Sequence, residues 1–146
     1  MTISFSFFHD AALTQEITAL NPLTATQNTS GGLGPVDKVI YFGSPSTATP
    51  GTKAQDASNP GVTAIQVNVV DAASGSGAPA TEFKLALSSG GLATAVAGDP
   101  LTLSTAVNSG VANAVPIYTR RTSALTVAGS YTDVSLQTQT LQETAI

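Results

Sequence analysis

The residues of this chain that could do chemistry are few and lie far apart. His9 is the only histidine, which excludes a metal site built from several histidines, and a Ser-His-Asp triad could use only this one. The chain contains no cysteine, which excludes a disulfide framework and a thiolate zinc site. His9 and Asp10 end an apolar run near the N-terminus, where we expect exposure rather than a catalytic pocket.

The glycine-rich stretch from Ser30 to Gly34 has the composition of a phosphate-binding loop but not its pattern. No Lys-Ser/Thr pair follows it, no G-x-G-x-x-G pattern exists, and no strand-loop-helix context surrounds it. We therefore interpret Gly31, Gly32 and Gly34 as turn residues.

The aspartates are scattered and mostly stand beside turns, where they usually bond to the local backbone. They are Asp10, Asp37, Asp56, Asp71, Asp99 and Asp133. No D-x-D-x-D-G calcium loop is present, although a calcium site built from several loops stays open. We predict no catalytic residue, no cofactor and no metal, and hence no enzyme.

The charge balance argues against direct nucleic-acid binding. The net charge is −4 with five basic residues, of which only Arg120 and Arg121 are adjacent. In a strand these two side chains would point to opposite sheet faces. One could pair with another subunit; the alternative is an exposed ion pair at the rim, which contributes little.

Charged residues make up only 10% of the chain, against about 25% in ordinary soluble domains. Little charge repulsion keeps such surfaces apart, so the composition suits a protein in lasting contact with neighbours. The alternative is a secreted bacterial β domain of Thr/Ala-rich composition. The N-terminus MTISFSFFHD lacks the basic and apolar regions of a signal peptide, and no apolar run approaches the roughly 20 residues that span a bilayer. We expect synthesis as a soluble cytoplasmic product.

Apolar residues recur with a period of two, which predicts antiparallel strands with one buried face. The stretch 62–121 holds three such runs, separated by Gly, Pro, Ala, Ser and Asn. Further strands are predicted at 2–8 and 36–43, and in the pair ALTVAG and YTDVSLQTQT. Residues 11–19 could form a short helix, but the β-branched Thr14, Ile17 and Thr18 favour a strand. In EFKLALS we expect Phe83, Leu85 and Leu87 to face inward, and Glu82, Lys84 and Ala86 outward.

The predicted fold is all-β, with about eight or nine short antiparallel strands in a single Ig-like or jelly-roll-like β-sandwich. Residues 1–146 form one domain with long loops at 21–35 and 44–61 and an extended polar C-terminal tail at 137–146. Those three segments and the Phe-rich N-terminal strand are the predicted contact regions. The candidate partner contacts are Phe5, Phe7, Phe8, Leu33, Arg120, Arg121 and Leu141, with burial in the core as the alternative for the phenylalanines.

The motifs KLALS (84–88), GLATAVAGDPLTL (91–103) and SGVANAVPIYTR (109–120) resemble a pattern in tailed-bacteriophage virion accessory proteins. The resemblance extends over residues 62–121. It implies a small β-sandwich of the virion, most simply a capsid decoration (cement) protein. The implied partners are the major capsid protein and further copies of this chain, with a trimer favoured. No site residue is carried over, because the family has no active site.

Two other functions stay open from the sequence. The first is a structural component of the phage tail or baseplate. The second is a carbohydrate-binding adhesive β-sandwich, which would present exposed aromatic rings; this chain has no Trp and only Tyr41, Tyr118 and Tyr131.

Overall fold

The computed structural model describes residues 3–26, 35–73, 75–123, 129 and 131–146. Within these residues the chain is all-β, with ten strands and three short 3-10 turns at Ala80–Glu82, Gly90–Ala93 and Val111–Asn113. The strands are β1 (Ser6–Phe8), β2 (Val36–Gly43), β3 (Thr52–Asp56), β4 (Gln66–Asp71), β5 (Phe83–Ala86), β6 (Leu101–Thr102), β7 (Val107–Asn108), β8 (Val115–Arg121), β9 (Val134–Thr138) and β10 (Leu141–Ala145).

The strands form three antiparallel sheets, so the predicted fold class is confirmed at that level. The first sheet has the order β1-β2-β8-β5, the second β10-β3-β7 and the third β6-β4-β9. All three contribute to one cluster of buried apolar side chains. Its members from the strands are Ile40, Phe42, Leu85 and Ile117 of the first sheet, Ala54 and Val107 of the second, and Val67 of the third.

Strand β2 lies in the interior of the first sheet, between β1 and β8. Its second half is buried, with Ile40 and Phe42 almost completely enclosed. Its first half is not: Asp37, Lys38 and Val39 are exposed. The strand predicted at 36–43 is therefore confirmed and lies inside the sheet, but its burial is confined to its C-terminal half.

The alternation in 62–71 is confirmed, since Ile65 and Val67 are fully buried. The faces predicted for EFKLALS are partly wrong. Leu85 is buried as predicted, but so are Glu82 and Ala86, while Leu87 is 51% exposed. The strand runs only from Phe83 to Ala86, so Leu87 lies beyond its end. Glu82 lies in the preceding 3-10 turn and contacts the guanidinium of Arg121.

The segment 44–61 is not a continuous loop, because it contains β3. This strand is flanked by β10 on one side and β7 on the other. Its sequence TKAQD has no large apolar residue, so no period of two was visible. Its small buried Ala54 and its two backbone ladders define it as a strand instead.

The prediction that residues 137–146 form an extended C-terminal tail is also wrong. Its first residues belong to β9, and Leu141–Ala145 pair with Thr52–Asp56 over five residue pairs. The backbone N–H of Ile146 donates to Gly51 O at 2.9 Å, which prolongs the ladder. The polar side chains of β10 hid a strand that is defined by its backbone pairing, with Leu141 as its apolar contact to the core.

The N-terminal strand is shorter than predicted and residues 11–19 form no strand. Phe5 is buried as expected, but within β1 Phe8 is buried while Phe7 is only half-buried, so the expected alternation breaks inside the strand. Leu13 has a left-handed backbone (φ 54°) and is 3% exposed, which places it in a turn whose side chain reaches the core. A β-branched run had favoured strand, but turn geometry prevails.

Some predictions concern residues outside those that the structure describes. They are most of the loop 21–35, including the glycine-rich stretch and Leu33, and most of the strand ALTVAG. No helix in the described part of the chain is long and apolar enough to cross a membrane.

Candidate contact sites

Three turns present apolar side chains to solvent. We call Leu20, Val62 and Val96 the apolar tips; they are 98%, 70% and 62% exposed. Single exposed apolar residues are common on protein surfaces. Each of these three lies in or beside a turn that is closed by backbone hydrogen bonds, and each is more exposed than Val111, which also lies in such a turn.

Leu20 stands at the end of the tightest of these turns. Thr18 and Asn21 exchange two backbone hydrogen bonds, at 3.2 and 3.1 Å, so only Ala19 and Leu20 lie between them. The side-chain amide of Asn21 donates to Glu16 O, and His9 Nε2 donates to the backbone carbonyl of Asn21 at 3.0 Å. His9 therefore supports a turn. The Leu20 side chain is exposed on a backbone that is already ordered.

Val62 follows a turn that is organised by a buried carboxylate. Asp56 Oδ1 accepts hydrogen bonds from the N–H and hydroxyl of Ser58 and from the N–H of Asn59. The N–H of Val62 then donates to Asn59 O at 3.2 Å. The hydrogen bond from the Ser58 hydroxyl, followed by that from Asn59, holds the pKa of Asp56 below its ordinary value. Asp56 is thus a charged turn residue at neutral pH.

The N-terminal phenylalanines already contact their own chain. Phe5 and Phe8 are 6% and 5% exposed, and Phe5 packs against Phe42 with the ring centroids 6.0 Å apart. Phe7 is half-buried on the same ring, at 5.3 Å. For Phe5 and Phe8 the alternative prediction, burial in the core, therefore holds. Phe7 has only part of its surface available to a partner.

Both arginines form ion pairs within the chain. Arg120 pairs with Asp37 through two hydrogen bonds of 2.8 Å at the surface. Arg121 contacts Glu82 Oε2 at 3.2 Å, donates to Ala25 O and lies over the Phe83 ring. Here the side chains are only 15% and 4% exposed. The two arginines pair with different acids, Asp37 and Glu82, which agrees with the prediction that their side chains point to opposite faces of the sheet.

The remaining predicted contacts are Leu141 and Leu33. Leu141 is half-buried in β10 and packs against the core. Leu33 lies outside the described residues. The six described candidates thus all contact other residues of this chain. The apolar tips, which are exposed, were not among the predicted contacts.

Glu143 illustrates how the chain uses its acids. Burial raises its pKa, but hydrogen bonds from Ser4 N–H, the Thr52 hydroxyl and the Ser4 hydroxyl outweigh burial, and the pKa lies below its ordinary value. A carboxylate that is charged at neutral pH and bonded on both oxygens joins β10 to β3 and to the N-terminal segment. It is poorly suited to donate a proton in catalysis.

Asp10 has a similar role in a different turn. Its carboxylate accepts from the Thr14 hydroxyl and from the N–H groups of Thr14 and Gln15. These bonds, the Thr14 hydroxyl first, lower the pKa of Asp10. With His9 bonded to Asn21 O, the only His-Asp pair in the sequence organises two adjacent turns.

The described residues contain a shallow polar depression but no group of three or more His, Cys, Asp or Glu side chains that could hold a metal ion. The depression has a volume of about 240 Å³ and is lined by Ser104, Ala106, Val107, Asn108, Asn113 and Val115. Its lining includes hydrogen-bonding groups but no acid, base or aromatic ring. Ser104 and Asn113 already donate to Ala106 O and Ser109 O.

Sequence reasoning missed the apolar tips because it looked for function in long loops. The available signal was an apolar residue beside turn residues, as in Leu20 before Asn21-Pro22 and Val62 after Asn59-Pro60-Gly61. Neither a protein-family model, nor a curated protein, nor a solved structure matches this chain.

Proposed function

We propose that this protein is a virion structural protein, a capsid decoration protein that binds an assembled phage shell and stabilises it by bridging capsid subunits. The observation that carries the proposal is the set of apolar tips, each on a hydrogen-bonded turn of a chain with few charges. The resemblance of residues 62–121 to virion accessory proteins supports the same conclusion.

The proposal includes a single β-sandwich as the scaffold. Its support is the one buried cluster to which all three sheets contribute. Sheets that share a core in this manner are the usual way to bury one face of each strand. In this arrangement the turns between strands carry the contacts.

Binding would stabilise the shell by linkage. A protein that binds only the assembled shell shifts the equilibrium away from disassembly, and the shift grows with its concentration. Docking an apolar side chain from an ordered turn loses little conformational entropy, which favours affinity. The partners are the major capsid protein and other copies of this chain, and the final location is the phage particle after synthesis in the host cytoplasm.

The test uses shells assembled from the major capsid protein that we expect to be encoded beside this chain. Adding the purified protein should cause it to sediment with the shells and should raise the temperature at which they disrupt. Leu20→Asp should weaken sedimentation at least about tenfold, because a charge would have to be buried in place of an apolar side chain.

Ala19→Asp is the matched control, since it adds the same charge one residue away at another exposed position of the turn. It should bind more tightly than Leu20→Asp, and both variants should keep the thermal stability of the parent protein. Equal binding by Leu20→Asp and the parent protein would remove Leu20 from the interface. Sedimentation with tails and not with shells would replace the capsid assignment by the tail or baseplate alternative.

A further inference from the structure

The outer edge of β9 differs from the other sheet edges in the described part of the chain. The edge of β1 is bonded by Ile17 N–H to Phe7 O, and that of β5 by Gly98 N–H to Phe83 O, each at 2.8 Å. Strand β10 carries the charged Glu143 at its centre, and β6 and β7 have only two residues each. Proteins usually protect sheet edges by such covering segments, charges or short strands.

Within the residues that the structure describes, strand β9 has none of these protections. Its sequence VSLQT contains no charge and no proline, and no described strand pairs with its outer side. Uncharged residues continue after it through Gln142. A five-residue edge that no described strand pairs with is a ready template for another strand.

The register with β4 shows which backbone groups point outward. Ala72 N–H donates to Asp133 O at 2.7 Å, and Asp71 lies opposite Val134. Because hydrogen-bonded pairs alternate along an antiparallel ladder, Ser135 and Gln137 bond to β4. The N–H and C=O groups of Val134, Leu136 and Thr138 therefore point away from β4.

These outward groups are self-complementary about a two-fold axis through Leu136. Antiparallel pairing with a second β9 would place Leu136 opposite itself and Val134 opposite Thr138, and these three pairs would exchange about six hydrogen bonds. On the exposed face, Ser135 would lie opposite Gln137 of the second copy. These side chains are compatible, because Gln137 already donates to Ser135 Oγ at 3.0 Å within the strand.

We propose that two copies of this chain pair through β9, joining their third sheets into one six-stranded sheet. The occupant is a second copy because β9 matches its own sequence without bringing like charges together. The pairing does not depend on binding to a phage shell. It predicts an even-numbered oligomer, in contrast to the trimer that the resemblance favours.

The first test measures molar mass by light scattering and amide hydrogen exchange across a dilution series. A dimer should form with rising concentration, and the amides of Val134, Leu136 and Thr138 should then exchange at least about tenfold more slowly. The amides of Ser135 and Gln137 are the internal control, since β4 protects them in the monomer too. Protection of the outward amides that is independent of concentration would overturn the proposal, because a segment of the same chain would then cover the edge.

The second test uses two double variants at the same exposed positions. Ser135→Lys with Gln137→Lys would place like charges opposite each other twice, and should weaken dimerisation at least about tenfold. Ser135→Lys with Gln137→Glu would place opposite charges there and should retain the dimer. Equal dimerisation by both variants would contradict pairing through β9.

A trimeric mass, or a monomer at all concentrations, would also overturn the edge pairing and would leave the shell-binding proposal intact. Conversely, a β9 dimer that fails to sediment with shells would reject the proposed function alone.

Discussion

Gly77 and Asp133 meet where the loop after β4 crosses the start of β9. Gly77 has φ +70°, and a Cβ placed on it would lie 2.7 Å from both carboxylate oxygens of Asp133. Within the described residues Asp133 Oδ2 is buried without a hydrogen-bond partner, and Ala78 N–H approaches Oδ1 at 3.4 Å. The close approach of backbone to carboxylate therefore requires a residue without a side chain.

Gly77→Ala should lower the free energy of unfolding by at least about 2 kcal/mol, because it adds a steric clash to the strain of a left-handed backbone. Gly75→Ala is the matched control: its φ is +90°, but a Cβ there meets nothing within 4 Å. It should lose only about 1 kcal/mol. Denaturant unfolding of both variants measures the difference, and equal losses would show that the clash with Asp133 is relieved by movement.

At the scale of elements, the pair Arg121–Glu82 joins parts that are distant in sequence. Arg121 ends β8, Glu82 precedes β5, and the guanidinium also bonds Ala25 O in the N-terminal segment. Thr122 N–H donates to Glu82 O at 3.0 Å beside them. A largely buried ion pair of this kind is strongly destabilised when one charge is removed.

Glu82→Gln should lower the free energy of unfolding by about 2–4 kcal/mol, because it leaves the Arg121 charge without its carboxylate. Asp37→Asn is the control in the same sheet, since the Arg120–Asp37 pair is much more exposed, and its loss should be a small fraction of that value. Adding Arg121→Met to Glu82→Gln should recover part of the stability. A larger loss for Asp37→Asn than for Glu82→Gln would contradict this ranking.

Most strands rich in apolar residues could be predicted from sequence, although the alternation at 11–19 forms no strand, and the strands with mainly polar side chains could not be predicted. β2, β4 and β8 were predicted because Ile40, Val67 and Ile117 recur among apolar neighbours. β3 and β10 were missed because their polar side chains carry no such signal and only pairing defines them. The inward orientation of Glu82 was unpredictable for a related reason: it depends on the β5–β8 register, which places Arg121 beside it.

At the scale of the whole molecule, carboxylates with lowered pKa values lie in several separate regions. Arg120 lowers the pKa of Asp37 through its hydrogen bonds, and the hydrogen bonds described above do so for Asp10, Asp56 and Glu143. A group whose pKa is lower in the folded state stabilises that state once the pH exceeds its unfolded value. All four therefore act in the same direction.

The melting temperature should be nearly constant at neutral pH and should fall as the pH drops below about 4, the unfolded value of such carboxylates, towards their lower folded values. Asp56→Asn retains the acceptor oxygen but cannot titrate, so its melting curve should depend less on pH in this acidic window. Calorimetry across the pH series measures both curves. A melting temperature that rises on acidification would contradict the lowered pKa values.

The pairings of β2 with β8 and of β3 with β10 join segments that are far apart in the chain. Val36 lies opposite Arg121, and Thr52 lies opposite Ala145, so both ladders close only when segments far apart in the chain meet. Folds dominated by such distant pairings form in milliseconds to seconds, far more slowly than helical bundles. Until β4 and β9 have met, the uncharged β9 segment is open to other chains, so we expect newly made chains at high concentration to aggregate more readily than the folded protein.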